Sequence, residues 1–222
     1  MPRLCRAPGC DSPTTSRYSV YCSRHQSRLR RQGDVAQEAI SKADLKTYLK
    51  RVRQRIAKNP DSAAWGQLEA RWMAIVERAR GVIAAFHSGK AGARYLRKAA
   101  EEVLRVAEAA PPRDLVETAL AVFVMQELDP RRFRSDAGFR FQLVRRVRAL
   151  ADVSAGQRYD HRSGKVRRVY RELTPRAVAT IGQWLADMIG GAGIQLARLE
   201  LRDVEKANQD RQELRTALAE LK

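Results

Sequence analysis

The stretch CRAPGCDSPTTSRYSVYCSRHQSRLRRQG, residues 5–33, holds all three cysteines of the chain and one of its three histidines. The ligand-type residues fall as Cys5-x4-Cys10-x11-Cys22-x2-His25. Three thiolates and one imidazole make a complete tetrahedral set for zinc. Pro8-Gly9 lies between the first two cysteines and can bend the backbone so that both sulfurs face one point. The run from Thr15 to Tyr21 alternates as a short hairpin strand does. Cys22 and His25 point the same way from the first turn of a helix that runs through Arg31 and stops at Gly33. An odd cysteine count and the lack of any secretory pattern argue against a disulfide framework. Four protein ligands leave no position for water, so the site reads as structural. So small a module has almost no core, and the metal supplies most of its folding energy.

Outward from this module, the apolar spacing becomes helical. Val35 to Asn59 predicts a helix with Ile40, Leu45, Leu49, Val52 and Ile56 near one stripe. Residues 62–88 predict a second, in which Trp65 and Trp72 read as core rather than as base-stacking groups. Ser88-Gly89-Lys90-Ala91-Gly92 breaks the chain without the spacing of a phosphate-binding loop. Helices follow over 93–109 and 113–128, and the second is apolar on nearly every side, so it should be the most buried element. Ser135 or Asp136 caps a helix running to about Ala151, with Arg145 and Arg148 on one side and Arg140 and Arg146 flanking. Residues 156–171 read as a hairpin turning at Ser163-Gly164, with an Arg/Lys-rich tip. Thr174-Pro175 opens a helix, Gly190-Gly191-Ala192-Gly193 reads as a hinge, and a last helix covers 194–221. Its stripe of Val204, Ala207, Arg211, Leu214, Leu218 and Leu221 packs in cis, self-associates or docks a protein partner.

The fold class is therefore mainly α: a small N-terminal zinc finger, a multi-helix body with one β-hairpin, and a long C-terminal helix. The segments are 1–34, the zinc module; 35–90, a basic helix and a long helix; 91–173, a helical domain with a basic helix and hairpin; and 174–222, the C-terminal helices. The element order in the third segment is that of a winged-helix domain; the alternative is an irregular bundle with a hairpin insertion.

The formal net charge is +18, and its placement is informative. Residues 1–60 and 131–176 carry +10 each, whereas 61–130 and 177–222 carry −1 each. Two concentrated basic blocks are the footprint of a polyanion binder. The excess of arginine over lysine favours bidentate contacts with phosphate or guanine. The candidate nucleic-acid contacts are Arg24, Arg28 and Arg31 beside the zinc ligands, Arg145 and Arg148 on the basic helix, and Lys165, Arg167 and Arg168 on the hairpin. No segment reaches eighteen uninterrupted apolar residues, so no membrane span is expected. Free thiols suit a reducing, cytoplasmic and nucleoid-associated setting.

The run Gly9-Cys10-x-Ser12-Pro13 … Tyr21-Cys22-x-Arg24-His25-x-x-Arg28-x-Arg30-Arg31-x-Gly33-Asp34 resembles the small treble-clef-type zinc modules of phage and other mobile-element proteins. Such modules often accompany HNH-type homing endonucleases. The resemblance covers roughly residues 4–34. It implies that the metal is zinc and that the helix after His25 can approach nucleic acid; the expected partner is DNA, with RNA as the alternative. It does not imply nuclease activity, because Asp160-His161 is the only Asp-His pair and no Asn/His partner set follows it. The expected function is non-enzymatic: a DNA-binding protein of a bacterial mobile element or its host, acting in regulation, replication or element maintenance. The alternative is a DNA-recognising subunit of a larger nucleoprotein complex, such as an RNA-guided CRISPR-type effector. A metal-dependent nuclease is the least supported reading.

Overall fold

The computed structural model describes residues 3–152 and 154–220, with the side chains of Arg167, Arg168 and Glu220 outside the described set. The chain is mainly helical. In order it forms α1 (Ser23–Gln32), α2 (Lys42–Lys58), α3 (Ala63–His87), α4 (Arg94–Ala109), α5 (Pro112–Leu128), α6 (Asp136–Arg148), β1 (Ser154–Asp160), β2 (Lys165–Tyr170) and α7 (Pro175–Glu220). The N-terminal cysteines and His25 stand in a separate small cluster ahead of this body.

Helix α5 is the axis of the body. Its sequence has no polar stripe, and every residue from Leu115 to Met125 is buried. Helices α2, α3, α6 and α7 all pack against it. One contiguous core runs from Ile40 to Ala197 and includes Trp72 and Trp184, so these two tryptophans are core residues. Trp65 is half-buried and donates its indole N–H to the Asn59 carbonyl at 2.7 Å. Each fully buried aliphatic or aromatic side chain stabilises the fold by about 1.5–3 kcal/mol relative to exposure. The one acid within α5's buried stretch, Glu117, accepts from Arg53 Nε at 2.7 Å and faces Arg113 at 3.4 Å. A buried carboxylate without such partners would be costly.

Two expectations about the helix boundaries fail, each for a physical reason. Residues 35–41 are not helical, and α2 starts only at Lys42. The Asp44 backbone N–H donates to Ser41 Oγ at 3.1 Å, while Asp44 Oδ2 accepts the Ser41 backbone N–H at 2.7 Å. This reciprocal capping box fixes the start. The preceding residues take partners elsewhere: Gln37 Nε2 donates to the Arg132 carbonyl at 2.9 Å, Gln37 Oε1 accepts from the Arg134 N–H at 3.0 Å, and the Ile40 N–H donates to Gln142 Oε1 at 2.9 Å.

The second failed expectation is the glycine hinge. Helix α7 runs unbroken through Gly190-Gly191-Ala192-Gly193 for 46 residues, a length of about 69 Å. Gly193 serves close packing instead. A Cβ at Gly193 would stand 2.5 Å from Phe123 Cδ2, so α5 and α7 can meet here only without a side chain. The first part of α7 lies in the core, and Glu200 closes onto Arg51 and Arg55 of α2. From Glu205 to Ala219 every side chain is exposed, so the stripe of Ala207, Leu214 and Leu218 does not pack in cis. Leu221, expected on that stripe, lies outside the described residues.

The hairpin forms as expected. β1 and β2 pair antiparallel, with Tyr159 opposite Val166 and Asp160 opposite Lys165. Gly164 takes φ +64 in the turn, a left-handed conformation that favours glycine. Asp160 Oδ1 accepts the Arg162 N–H at 3.1 Å and Oδ2 accepts the Ser163 hydroxyl at 2.8 Å, locking the turn. No helix among the described residues is long and apolar enough to cross a membrane.

Candidate metal centre and nucleic-acid interface

The four expected ligands converge. Gly9, at φ +69, lets the chain turn sharply after Pro8, and the Cys10 N–H donates back to the Ala7 carbonyl at 3.2 Å. The Cys5 N–H donates to the Ser12 carbonyl at 3.0 Å, and a bridge between Leu4 and Pro13 closes this knuckle. Cys22 is the residue before α1, and His25 sits in its first turn. The stretch from Thr15 to Tyr21 is not a strand. Thr14 and Ser19 hydroxyls donate to the Ser16 and Tyr21 carbonyls at 2.9 and 2.8 Å, which bends the backbone into turns.

The Cys10 and Cys22 sulfurs are 3.9 Å apart, and His25 Nδ1 lies 3.3 Å from Cys22 and 3.5 Å from Cys5. All four ligand atoms lie within 4.8 Å of one another. A zinc tetrahedron with its usual bond lengths has S···S edges of about 3.8 Å and S···N edges of about 3.5 Å. These three separations match those edges, so the donor set is compatible with a metal ion of that size. Cys5, Cys22 and Ala7 are buried and form the buried apolar set among the module's described residues, with Cys10, Tyr21 and Val35 packed around them. The Ser12 backbone N–H, and then its side chain, hold the Cys10 thiol below its usual range. Cys22 receives the His25 backbone N–H, which pulls its pKa down, but burial and the sulfurs of Cys5 and Cys10 push it above the usual value. A divalent cation bound here would relieve this crowding of sulfurs by taking them as thiolates.

The module is fastened to the body. Gly33 ends α1 at φ +80, and a Cβ there would meet the Ala137 carbonyl oxygen and Phe141 Cδ2, each at 2.7 Å. Gln142 Nε2 of α6 donates to Gln32 Oε1 at 2.8 Å. Glu172, just past β2, holds Arg30 at 3.0 Å and Arg31 at 2.7 Å. These contacts lay α1 against α6, so charges from both basic blocks become neighbours.

Arg24, Arg28 and Arg31 share one face of α1 by their spacing of four and three residues. Arg24 is exposed and Arg28 half-buried, and neither has an ion pair among the described residues. Arg145 is exposed at the adjoining end of α6 and also has no counter-ion among the described residues. Partial desolvation, then the Arg148 and Arg31 guanidiniums, bring its pKa below the usual arginine range. Arg148, expected beside it at the surface, is turned inward. Its Nε donates to buried Glu102 at 2.6 Å and its Nη2 to the Arg171 carbonyl at 2.9 Å. Arg146 is buried rather than flanking, with only 8% exposure, and its Nε has no partner among the described residues. Helix α6 is covered by α1, α5 and α7. It therefore lacks the open face that a groove-entering helix presents.

On the hairpin, Lys165 is exposed at the start of β2, and the side chains of Arg167 and Arg168 lie outside the described residues. Arg158 and Arg162, exposed on the same hairpin, were not singled out from the sequence, although they sit in the same basic run. Glu172 was also missed. Its signal was present, since it is the only acid between residues 161 and 186. Comparison of the chain with protein-family models, with curated proteins and with solved structures finds no match.

Proposed function

We propose that this is a nucleic-acid-binding protein with one structural zinc, gripping the phosphates of duplex DNA along the seam between α1 and α6. The observation that carries this reading is the meeting of the two basic blocks: the C-terminal end of α1 packs on α6 and brings Arg31 beside Arg145, while Arg24, Arg28 and Arg145 have no ion pair among the described residues. Like charges brought together are unfavourable in isolation and favourable against a polyanion. The zinc ligands are Cys5, Cys10, Cys22 and His25. They complete the coordination from the protein, so the metal builds the surface and does no chemistry. A second reading, a subunit of a larger nucleoprotein complex, draws on the exposed arm of α7 from Glu205 to Ala219.

The test is a salt titration of binding to one labelled duplex. Arg145→Ala and Arg28→Ala should each lower the slope of log K against log salt by about 0.9. Arg148→Ala should leave the slope unchanged. Slopes unaffected by Arg145→Ala and Arg28→Ala would refute the seam as a phosphate site. Duplex binding seen only when other subunits are added would favour the second reading.

A further inference from the structure

The hairpin buries almost nothing of itself. Side chains from Ala155 to Tyr159 and from His161 to Val166 are all exposed, as are Val169 and Tyr170. A two-stranded hairpin without support is marginal in water. Its surface chemistry therefore describes the partner it meets.

One face of it is aromatic and apolar. Tyr159 and Val166 are directly opposed in the ladder and are 52% and 61% exposed. The His161 ring meets Tyr159 edge-on at 5.0 Å between centroids. Tyr170 is 57% exposed and four residues beyond Val166, hence on the same face of β2 and about 13 Å away along the strand. Arg158 and Lys165 alternate onto the other face of the ribbon and Arg162 lies in its turn, all exposed. The sequence adds Arg167 and Arg168, against Asp160 as the one acid of residues 154–170, and Asp160 is engaged in the turn.

We propose that this face is a stacking platform for unpaired nucleobases, so that the hairpin takes a single-stranded stretch of nucleic acid. The inference rests on the nucleic-acid reading above and specifies which part of the ligand the hairpin receives. A basic wing that touched only duplex phosphates would use the cations and leave two tyrosines half in water. Duplex DNA hides its base faces within the stack, whereas a single strand offers planar apolar faces and a phosphate backbone together. Aromatic side chains on one face of a ribbon whose other face and turn carry cations match that combination. An acidic protein partner would satisfy the charge alone.

The experiment uses the full zinc-loaded chain and three labelled probes: oligothymidine, an abasic strand of the same length, and a duplex. Tyr159→Ala and Tyr170→Ala should each weaken oligothymidine binding by about tenfold, while changing abasic-strand and duplex binding by less than about twofold. Tyr159→Phe should keep wild-type affinity, because the ring and not the hydroxyl stacks. Thermal unfolding should be unchanged, since both side chains are exposed. Equal losses on oligothymidine and the abasic strand, or no loss on either, would overturn the proposal. Salt-sensitive duplex binding with indifferent tyrosines would remove this inference alone. Failure of the wild type to bind any probe would remove the nucleic-acid reading as well.

Discussion

The glycines of α7 give a direct test of how α5 and α7 meet. Gly191 is exposed, and a Cβ added there meets nothing within 4 Å. In a helix interior alanine is favoured over glycine by about 0.8–1.0 kcal/mol, so Gly191→Ala should stabilise the protein by about that amount. Gly193 lies two residues on, in the same continuous helix. There the new Cβ would stand 2.5 Å from Phe123 Cδ2 and 2.6 Å from Cγ. The Phe123 ring has little room to yield, being buried and packed edge-on against Phe139 at 5.1 Å. Overpacking of this kind costs about 1–3 kcal/mol. The propensity gain is common to both variants, so their difference isolates that steric cost. With a melting shift of about 2–4 °C per kcal/mol for a chain of this size, Gly193→Ala should melt roughly 2–12 °C below Gly191→Ala. Guanidinium denaturation followed by circular dichroism, with equal m-values, gives the same comparison at constant temperature. Equal stability of the two variants would mean that α5 and α7 do not approach as described. Destabilisation by Gly191→Ala would mean that the glycine run bends, as a hinge would.

Two further outcomes are expected. Protein prepared without chelator should carry one zinc per chain, and Cys22→Ser should lose it while the helical circular dichroism signal stays largely intact, because the core from Ile40 to Ala197 excludes the module; elemental analysis without stoichiometric metal would refute the centre. Glu102→Ala should destabilise by about 2–3 kcal/mol, less than the ~3–5 of a fully buried pair, because Arg148 and Arg105 remain 14% and 33% exposed; a loss under about 0.5 kcal/mol on denaturation would show that the pair adds nothing to stability.

What the sequence made legible was local. Cys22 and His25 are three residues apart on one helical turn, so their convergence needs no knowledge of the rest of the chain. The burial of α5 followed from its own lack of a polar face. What stayed illegible depended on distant partners or on ambiguous residues. Residues 35–41 have helical spacing, but Gln37 and Ile40 bond to residues 95–102 positions away, and those bonds displace the helix. Glycine marks a break and a close approach with the same letter, and only Phe123 of α5 separates the two at Gly193. Charge shows the same division most sharply. Arg145 and Arg148 are one turn apart on a basic helix and read alike. Glu102, buried on α4 and 46 residues before Arg148, takes that arginine into the interior. Glu117 and Asp44 pair with Arg53 and Arg132 nearer the surface, and Glu172 pairs with Arg30 and Arg31. A tally of cations therefore measures the field around the protein, while the contact site must be sought among cations with no acid in reach. On α1 and α6 the cations without an ion pair among the described residues are Arg24, Arg28, Arg140, Arg145 and Arg146; Arg146 is buried and Arg140 donates to Gln183, so the salt slope should respond to Arg145 and not to Arg148.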